Sequence, residues 1–247
     1  MLAGIFIAIG AVIAGIASAG IRIAVFFQPA GMLIVLGGTL GVTFITTPRQ
    51  TLFRAARALA ALLRTPPENR EPLMDELVAL SKTARSKGLF GVELLIGNIE
   101  RPFLRESLQW AMDSRNRGEL QTTLEMKVRQ LERQGETDAR AFEVAGGFAP
   151  TIGVIGTVVG LMDVLRQFSN ISSVAAGTGT AFISTVYGLA LANLILLPAA
   201  QRIRAHVAEQ FETNEMIVEG MLCLFEGLHP ALVHDRLTCF LRREELL

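Results

Sequence analysis

The chain has 247 residues, 51% of them hydrophobic and only 6% aromatic, with a mean hydropathy of +0.43; this excludes an ordinary soluble domain and points to a membrane protein rich in glycine. Its 23 basic and 23 acidic residues cancel, yet sixteen Lys or Arg lie in residues 49–143 and five follow Gln201, with only Arg22 and Arg166 elsewhere. That asymmetry carries topology, and the two cysteines, Cys223 and Cys239, fall in a segment read as cytoplasmic, so a disulfide framework is not expected.

Residues 1–21 carry no charge and are long enough to cross a hydrocarbon core of about 30 Å at about 1.5 Å per residue. A secretory signal would need a basic segment ahead of its apolar run, and no Lys or Arg precedes Arg22, so this stretch is expected to remain as the first span. Gln28 and Pro29 mark a tight turn, and residues 30–47 read as a second span.

The basic stretch 49–143 follows. Cytoplasmic loops carry the excess of Lys and Arg, so this loop and the C-terminal tail are predicted on the cytoplasmic side, with both termini there too. A nucleic-acid-binding role is excluded because the basic residues alternate with acidic ones and form no basic face. Within the loop, TLFRAARALAALLR from Thr51 spaces Leu52, Ala55, Ala56, Leu59, Leu62 and Leu63 at threes and fours, the period of a helix, which Pro66 and Pro67 should end. A second helix is predicted over 73–87, stopped by Gly88, a third reaches 116 after a break near Pro102, and a fourth covers 119–134 with Leu120, Leu124, Val128 and Leu131 on one stripe. The loop is a compact helical domain.

Two apolar runs follow, VAGGFAPTIGVIGTVVGLM over 144–162 and GTGTAFISTVYGLALANLILLPAA over 177–200. In the first, Pro150 lacks an N–H and frees the carbonyl of Gly146, which in hydrocarbon must find water, another helix or an ion. Ala149, Gly153, Gly156 and Gly160 form a small-residue face that lets a neighbouring backbone approach closely. Thr157 lies seven residues after Pro150 on the same side; a hydroxyl there either bonds back to its own helix or lines a path. The second run holds Thr178, Thr180, Ser184, Thr185, Tyr187 and Asn193, and Pro198 frees the carbonyl of Leu194. Six polar side chains exceed what anchoring requires, and Thr178 and Thr185, seven apart, offer oxygens suited to a hard cation or its water.

Neither run holds a carboxylate in its central stretch; Asp163, three residues from Arg166, reads as an interfacial, solvated group. A proton or sodium carrier needs an anionic site, so the missing acid is expected from a partner subunit. The tail holds a long helix with Ile203, Val207, Phe211, Ile217, Met221, Leu222 and Phe225 near helical spacing, expected to pack on the cytoplasmic domain. His229, His234 and Cys239 match no common zinc spacing, GTGT at Gly177 lacks the P-loop lysine, and no catalytic triad is evident, so neither a bound metal or other tight cofactor nor an enzyme is expected.

APTIGVIGTVVGLM, TAFISTVYGLALANLILLPAA and LIVLGGTLG in the second span together resemble the MotA/TolQ/ExbB proton channel family, and within it the flagellar stator A subunits of MotA and, more closely, PomA type. The resemblance covers nearly the whole chain. TolQ and ExbB energisers of outer-membrane processes, the alternative, share the last two spans but have one span before their large loop, where this chain has two. The resemblance implies an all-α integral membrane protein of the bacterial inner membrane: spans 1 and 2 within 1–48, a helical rotor-contacting cytoplasmic domain over 49–143, spans 3 and 4 over 144–201 as the ion path, and a helical cytoplasmic tail over 202–247.

It further implies a ring of A subunits, a pentamer, around a dimer of MotB/PomB-type subunits whose transmembrane helices supply the aspartate, and a FliG-type rotor protein as second partner. Pro150 and Pro198 match the family prolines tied to ion-coupled torque. Thr157 and Thr185 match threonines that resemble the sodium site of the PomA type, so transported sodium is favoured and the proton kept as the other fuel; Gln28 departs from that type, standing where it has an acidic residue. ARSKGLFGVE matches the rotor-facing stretch, giving Arg85 and Glu93, with Lys87 supplying a basic group near Ser86. Without the resemblance these charges read as a solvated helix face; with it they read as groups that steer and release a moving partner.

Overall fold

The structure, a computed structural model, describes residues 2–20, 26–62, 69–166 and 171–241. Every described element is helical: α1 (Leu2–Ser18), α2 (Pro29–Thr46), α3 (Arg49–Leu62), α4 (Glu71–Lys87), α5 (Leu89–Glu93), a 3-10 turn (Ile96–Asn98), α6 (Pro102–Asp113), α7 (Arg117–Arg166), α8 (Ile171–Ala190), a π-helical turn (Leu191–Leu196), α9 (Leu197–Phe225) and α10 (Pro230–Thr238). The stop expected at Pro66 and Pro67 lies outside the described residues, as does Arg22.

Local chemistry sets most boundaries. Pro29, Pro102 and Pro230 occupy first helical turns, where the missing N–H costs nothing. Thr47 precedes Pro48 and is extended (φ −129°, ψ 131°), which ends α2. Gly88 (φ 71°) turns the chain left-handed and stops α4, as predicted. At the start of α7, Asn116 Oδ1 accepts from Glu119 N–H (3.0 Å) while Glu119 Oε2 accepts from Arg115 N–H (3.1 Å), a reciprocal cap. His229 caps α10, its Nδ1 accepting from Ala231 N–H.

Two expected boundaries are absent. The helix expected to end near Gln134 continues without interruption through the third apolar run as the 50-residue α7. Between Gly135 and Glu143 there is no proline, and one glycine costs only about 1 kcal/mol, too little to break a helix favoured on both sides. The fourth run likewise passes through the π turn into α9, so Pro198 does not end it. Among the described residues, three helical stretches, Pro29–Thr46, Arg117–Arg166 and Gly177–Phe225, contain segments long and apolar enough to cross a membrane.

The chain forms two compact units. The first takes residues 1–65 and 135–205: α1 to α3, the second part of α7, α8, the π turn and the start of α9. The second takes 66–134 and 206–247 and contains the apolar core, in which Leu73, Leu77, Leu104, Leu108, Leu120, Leu124, Met216 and Met221 are buried. The tail residues Ile217, Met221 and Leu222 therefore pack where the sequence predicted, on the helices of this domain. Arg70, 3% exposed, ties the unit together: its guanidinium donates to Thr213 Oγ1 (3.2 Å), the Phe240 carbonyl (2.8 Å), the Glu209 carbonyl (3.3 Å) and Glu212 (2.7 Å).

Candidate ion path and charged turn

In the first unit α7 and α8 meet through glycine. A Cβ on Gly160 would lie 2.6 Å from the Ala181 nitrogen, one on Gly156 2.6 Å from Ser184 Cβ, and one on Gly153 3.0 Å from the Ser184 carbonyl oxygen. These are the predicted small residues; Gly160 and Gly153 face backbone atoms and Gly156 the Ser184 side chain. Two partners on α8 escaped the sequence reading. Gly188 would put a Cβ 2.6 Å from the Ala149 oxygen, and Gly177 one 3.1 Å from the Gly160 oxygen. Their signal was present, since eleven residues are close to three helical turns and leave both on one side. Ser184, fully buried, also fills the space beside Gly31 of α2.

This approach brings the two predicted threonines together. Thr157 Oγ1 lies 2.5 Å from Thr185 Oγ1, 3.0 Å from the Ala181 carbonyl oxygen and 3.2 Å from that of Gly153. The hydroxyl thus meets both readings, bonding to its own helix and across to the next. Thr157 has one proton for two carbonyls, so donating it to either leaves Thr185 to donate into the pair. Thr185 Oγ1 then keeps both lone pairs for a cation or a water. The threonines are half-buried.

Three other polar groups of the fourth run have partners of their own. Thr178 donates to the Val174 carbonyl (2.7 Å) and Asn193 to that of Leu189 (2.9 Å). The Tyr187 hydroxyl donates to the Phe26 carbonyl and accepts from Gln28 N–H, tying α8 to the turn before α2. Thr178 is therefore not joined to the threonine pair, although it shares a face with Thr185. The side chain of Thr180 is outside the described residues.

Pro150 sits half-buried inside α7, and the helix continues past it. Beside Pro198 the helix widens: the Leu197 N–H reaches the Ala192 carbonyl, five residues back, in place of the usual four. Asp163 and Arg166 are exposed. On α2, the Thr39 hydroxyl is buried without a hydrogen-bond partner among the described residues, while Thr43 donates to the Thr39 carbonyl (2.6 Å).

The second unit holds the charged turn. Arg85 and Lys87 occupy the last turn of α4, the chain reverses at Gly88, and Glu93 ends α5. A Cβ on Gly91 would run into Lys87 Cβ, so α5 folds tightly against that last turn. All three charged residues are exposed and make no hydrogen bond or ion pair among the described residues. Beside them stand Phe90, 83% exposed, and Leu94, 85% exposed, which the sequence reading missed. Their spacing of four, across α5 and the residue that follows it, was the available signal. The two cysteines differ: burial pushes the Cys223 thiol up to about 11, and Cys239 is exposed.

Comparison with known proteins fits this arrangement. The MotA/TolQ/ExbB proton channel family matches residues 96–216, and the motility protein A N-terminal region matches residues 2–88. The chain belongs to the MotA/TolQ/ExbB proton channel family. Motility protein A of Bacillus subtilis (strain 168) is 26% identical over 250 residues, covering 100% of this chain and 92% of the relative. YtxD, an uncharacterised protein of the same organism, is 29% identical over 245 residues, covering 99% and 89%. The structure of the flagellar MotAB stator complex from Bacillus subtilis superposes with a TM-score of 0.90 at 25% identity, over 100% of this chain and 97% of that one. The likeness to motility protein A and to the MotAB stator thus runs the length of the chain.

Proposed function

We propose that this chain is the A subunit of a flagellar stator that, with a MotB/PomB-type partner, lets cations down their gradient and turns that flow into rotation. The observation that carries the reading is the 2.5 Å contact of Thr157 and Thr185 across a glycine-packed helix pair. Two hydroxyls and the Ala181 carbonyl gather oxygen at membrane depth, the donor type that replaces the water of a hard cation. Oxygen dipoles alone leave the ion's charge uncompensated in a low-dielectric span, so an aspartate from the partner's helix completes the site. Sodium is the favoured ion, as in the PomA type, and the proton is the other fuel.

In this reading a cation neutralises the partner's carboxylate beside Thr157 and Thr185, and the neutral site passes to the next A subunit of a pentameric ring. Pro150 and Pro198 free carbonyls in the same two spans, giving the path oxygens whose helical partners are gone. Arg85, Lys87 and Glu93 push a FliG-type rotor protein, with Phe90 and Leu94 adding apolar grip to contacts that are individually weak. α1 is the first of four spans, the protein resides in the inner membrane, and both termini face the cytoplasm.

The test is tethered-cell rotation, with the cognate partner present, while sodium is replaced by potassium at constant pH and membrane potential. Rotation that stops and returns with sodium supports sodium coupling at Thr157 and Thr185. Rotation that persists in potassium but collapses with a proton uncoupler keeps the stator and makes the proton its fuel. Cells whose rotation never depended on this chain overturn the reading.

A further inference from the structure

α3 has two faces of different chemistry. Thr51 and Ala55 are buried, and Arg54 grips the buried Asp138 of α7 through Nε, 2.8 Å from each carboxylate oxygen. The opposite face carries Arg49, Phe53 and Arg57 at successive spacings of four, all exposed, Phe53 at 62%. Neither Arg49 nor Arg57 has an ion pair or hydrogen bond among the described residues, and α3 contains no acidic residue at all. This is unusual in a chain whose cations otherwise alternate with carboxylates.

The depth of this face follows from what α3 is tied to. Only two residues separate its first residue from the end of the apolar α2, whose outer side exposes Leu33, Leu40 and Phe44. Asp138 lies five residues before Glu143, the last charge before the uncharged run 144–162, and so about 8 Å along α7 from the edge of that run. The headgroup layer adds about 5–8 Å to each side of the hydrocarbon core. Arg54 therefore holds α3 at headgroup depth, on the same side as the basic loop.

We propose that the Arg49, Phe53 and Arg57 face of α3 binds anionic phospholipid headgroups of that leaflet. Each guanidinium presents a fork of donors that matches a phosphate diester, and its aliphatic stem lies along the acyl boundary. The Phe53 ring, costly to leave in water, enters the acyl layer between the two cations. The apolar outer side of α2 continues directly into this face, so the annulus of lipid around the span extends onto α3. The assignment rests on the membrane reading given above but not on the ion or the rotor, and its failure leaves both untouched.

The test uses the intact complex of this chain with its cognate partner, delipidated and titrated with phosphatidylglycerol or with phosphatidylcholine of the same acyl chains, with bound lipid counted by native mass spectrometry. The substitutions Arg49→Gln and Arg57→Gln together raise the half-saturating phosphatidylglycerol concentration roughly 25-fold, about fivefold per charge, and leave phosphatidylcholine unchanged. Arg49→Lys with Arg57→Lys restores most of the preference, and Lys82→Gln with Lys87→Gln has no effect. Unchanged phosphatidylglycerol binding in the Gln variant overturns the proposal, as does loss of subunits at unchanged lipid binding, which would make the face a contact between copies. If the Gln variant fails to assemble, the unaltered complex decides: its phosphatidylglycerol binding must fall between about 0.05 M and about 0.5 M salt while phosphatidylcholine binding holds, and parallel behaviour of the two lipids overturns it.

Discussion

Thr157 has one hydroxyl proton and three oxygen neighbours, and this shortage decides what its partner does. With Thr157 donating to a carbonyl, Thr185 must supply the proton between the two hydroxyls, so replacing either one removes the same bond. Thr157→Val and Thr185→Val should each cost about 1 kcal/mol in thermal unfolding of the assembled complex, and the double variant clearly less than their sum. Additive losses would mean that the hydroxyls act separately. Family likeness puts Thr157 and Thr185 at one site, but spacing alone matches Thr185 with Thr178, which satisfies itself on the Val174 carbonyl instead. Spacing along one helix says which residues share a side, and only the packing of a second helix says which of them meet.

At the scale of the helix pair, glycine sets the distance at which those hydroxyls meet. Gly160→Ala and Gly188→Ala each place a methyl 2.6 Å from a backbone atom of the facing helix, and backbone cannot step aside as a side chain can. Both should abolish ion-dependent rotation and lower the melting temperature of the complex, whereas Gly147→Ala, whose Cβ meets nothing within 4 Å, should be silent. The glycines of α7 stand out as a small-residue face, whereas those of α8, although their eleven-residue spacing was there to see, are overshadowed by the threonines and serines around Gly177 and Gly188. Element ends show the same division. Gly88 and the residues before Pro48 and Pro102 announced themselves through backbone chemistry. The change from charged to apolar sequence near Glu143 looked like a boundary and is none, since a helix backbone closes its own hydrogen bonds whatever surrounds it.

For the molecule as a whole, the hydroxyl pair belongs to one compact unit and the charged turn to the other. Substitutions should therefore separate ion flow from torque. Arg85→Glu and Glu93→Arg should each slow tethered-cell rotation severalfold while leaving ion uptake into vesicles carrying the complex unchanged, and Phe90→Ala should act likewise through lost apolar contact. Loss of ion uptake in these variants would show that the turn supports folding of the complex instead of contacting a partner. The rotor-facing role of Arg85 and Glu93 was accessible from the sequence only through family likeness; the structure adds that both are exposed and make no hydrogen bond or ion pair among the described residues.

The π-helical turn at Leu191–Leu196 is, in a solid-state sense, a dislocation: one extra residue held in an otherwise regular lattice of hydrogen bonds. Such a defect can be displaced by exchanging carbonyl partners one at a time, without melting the rod that contains it. Each residue it passes is turned by about 100° about the helix axis. Pro198, whose ring would meet the Leu194 carbonyl in a regular helix, stands just beyond the defect and pins it there, since sliding the wide turn along the span would restore that clash.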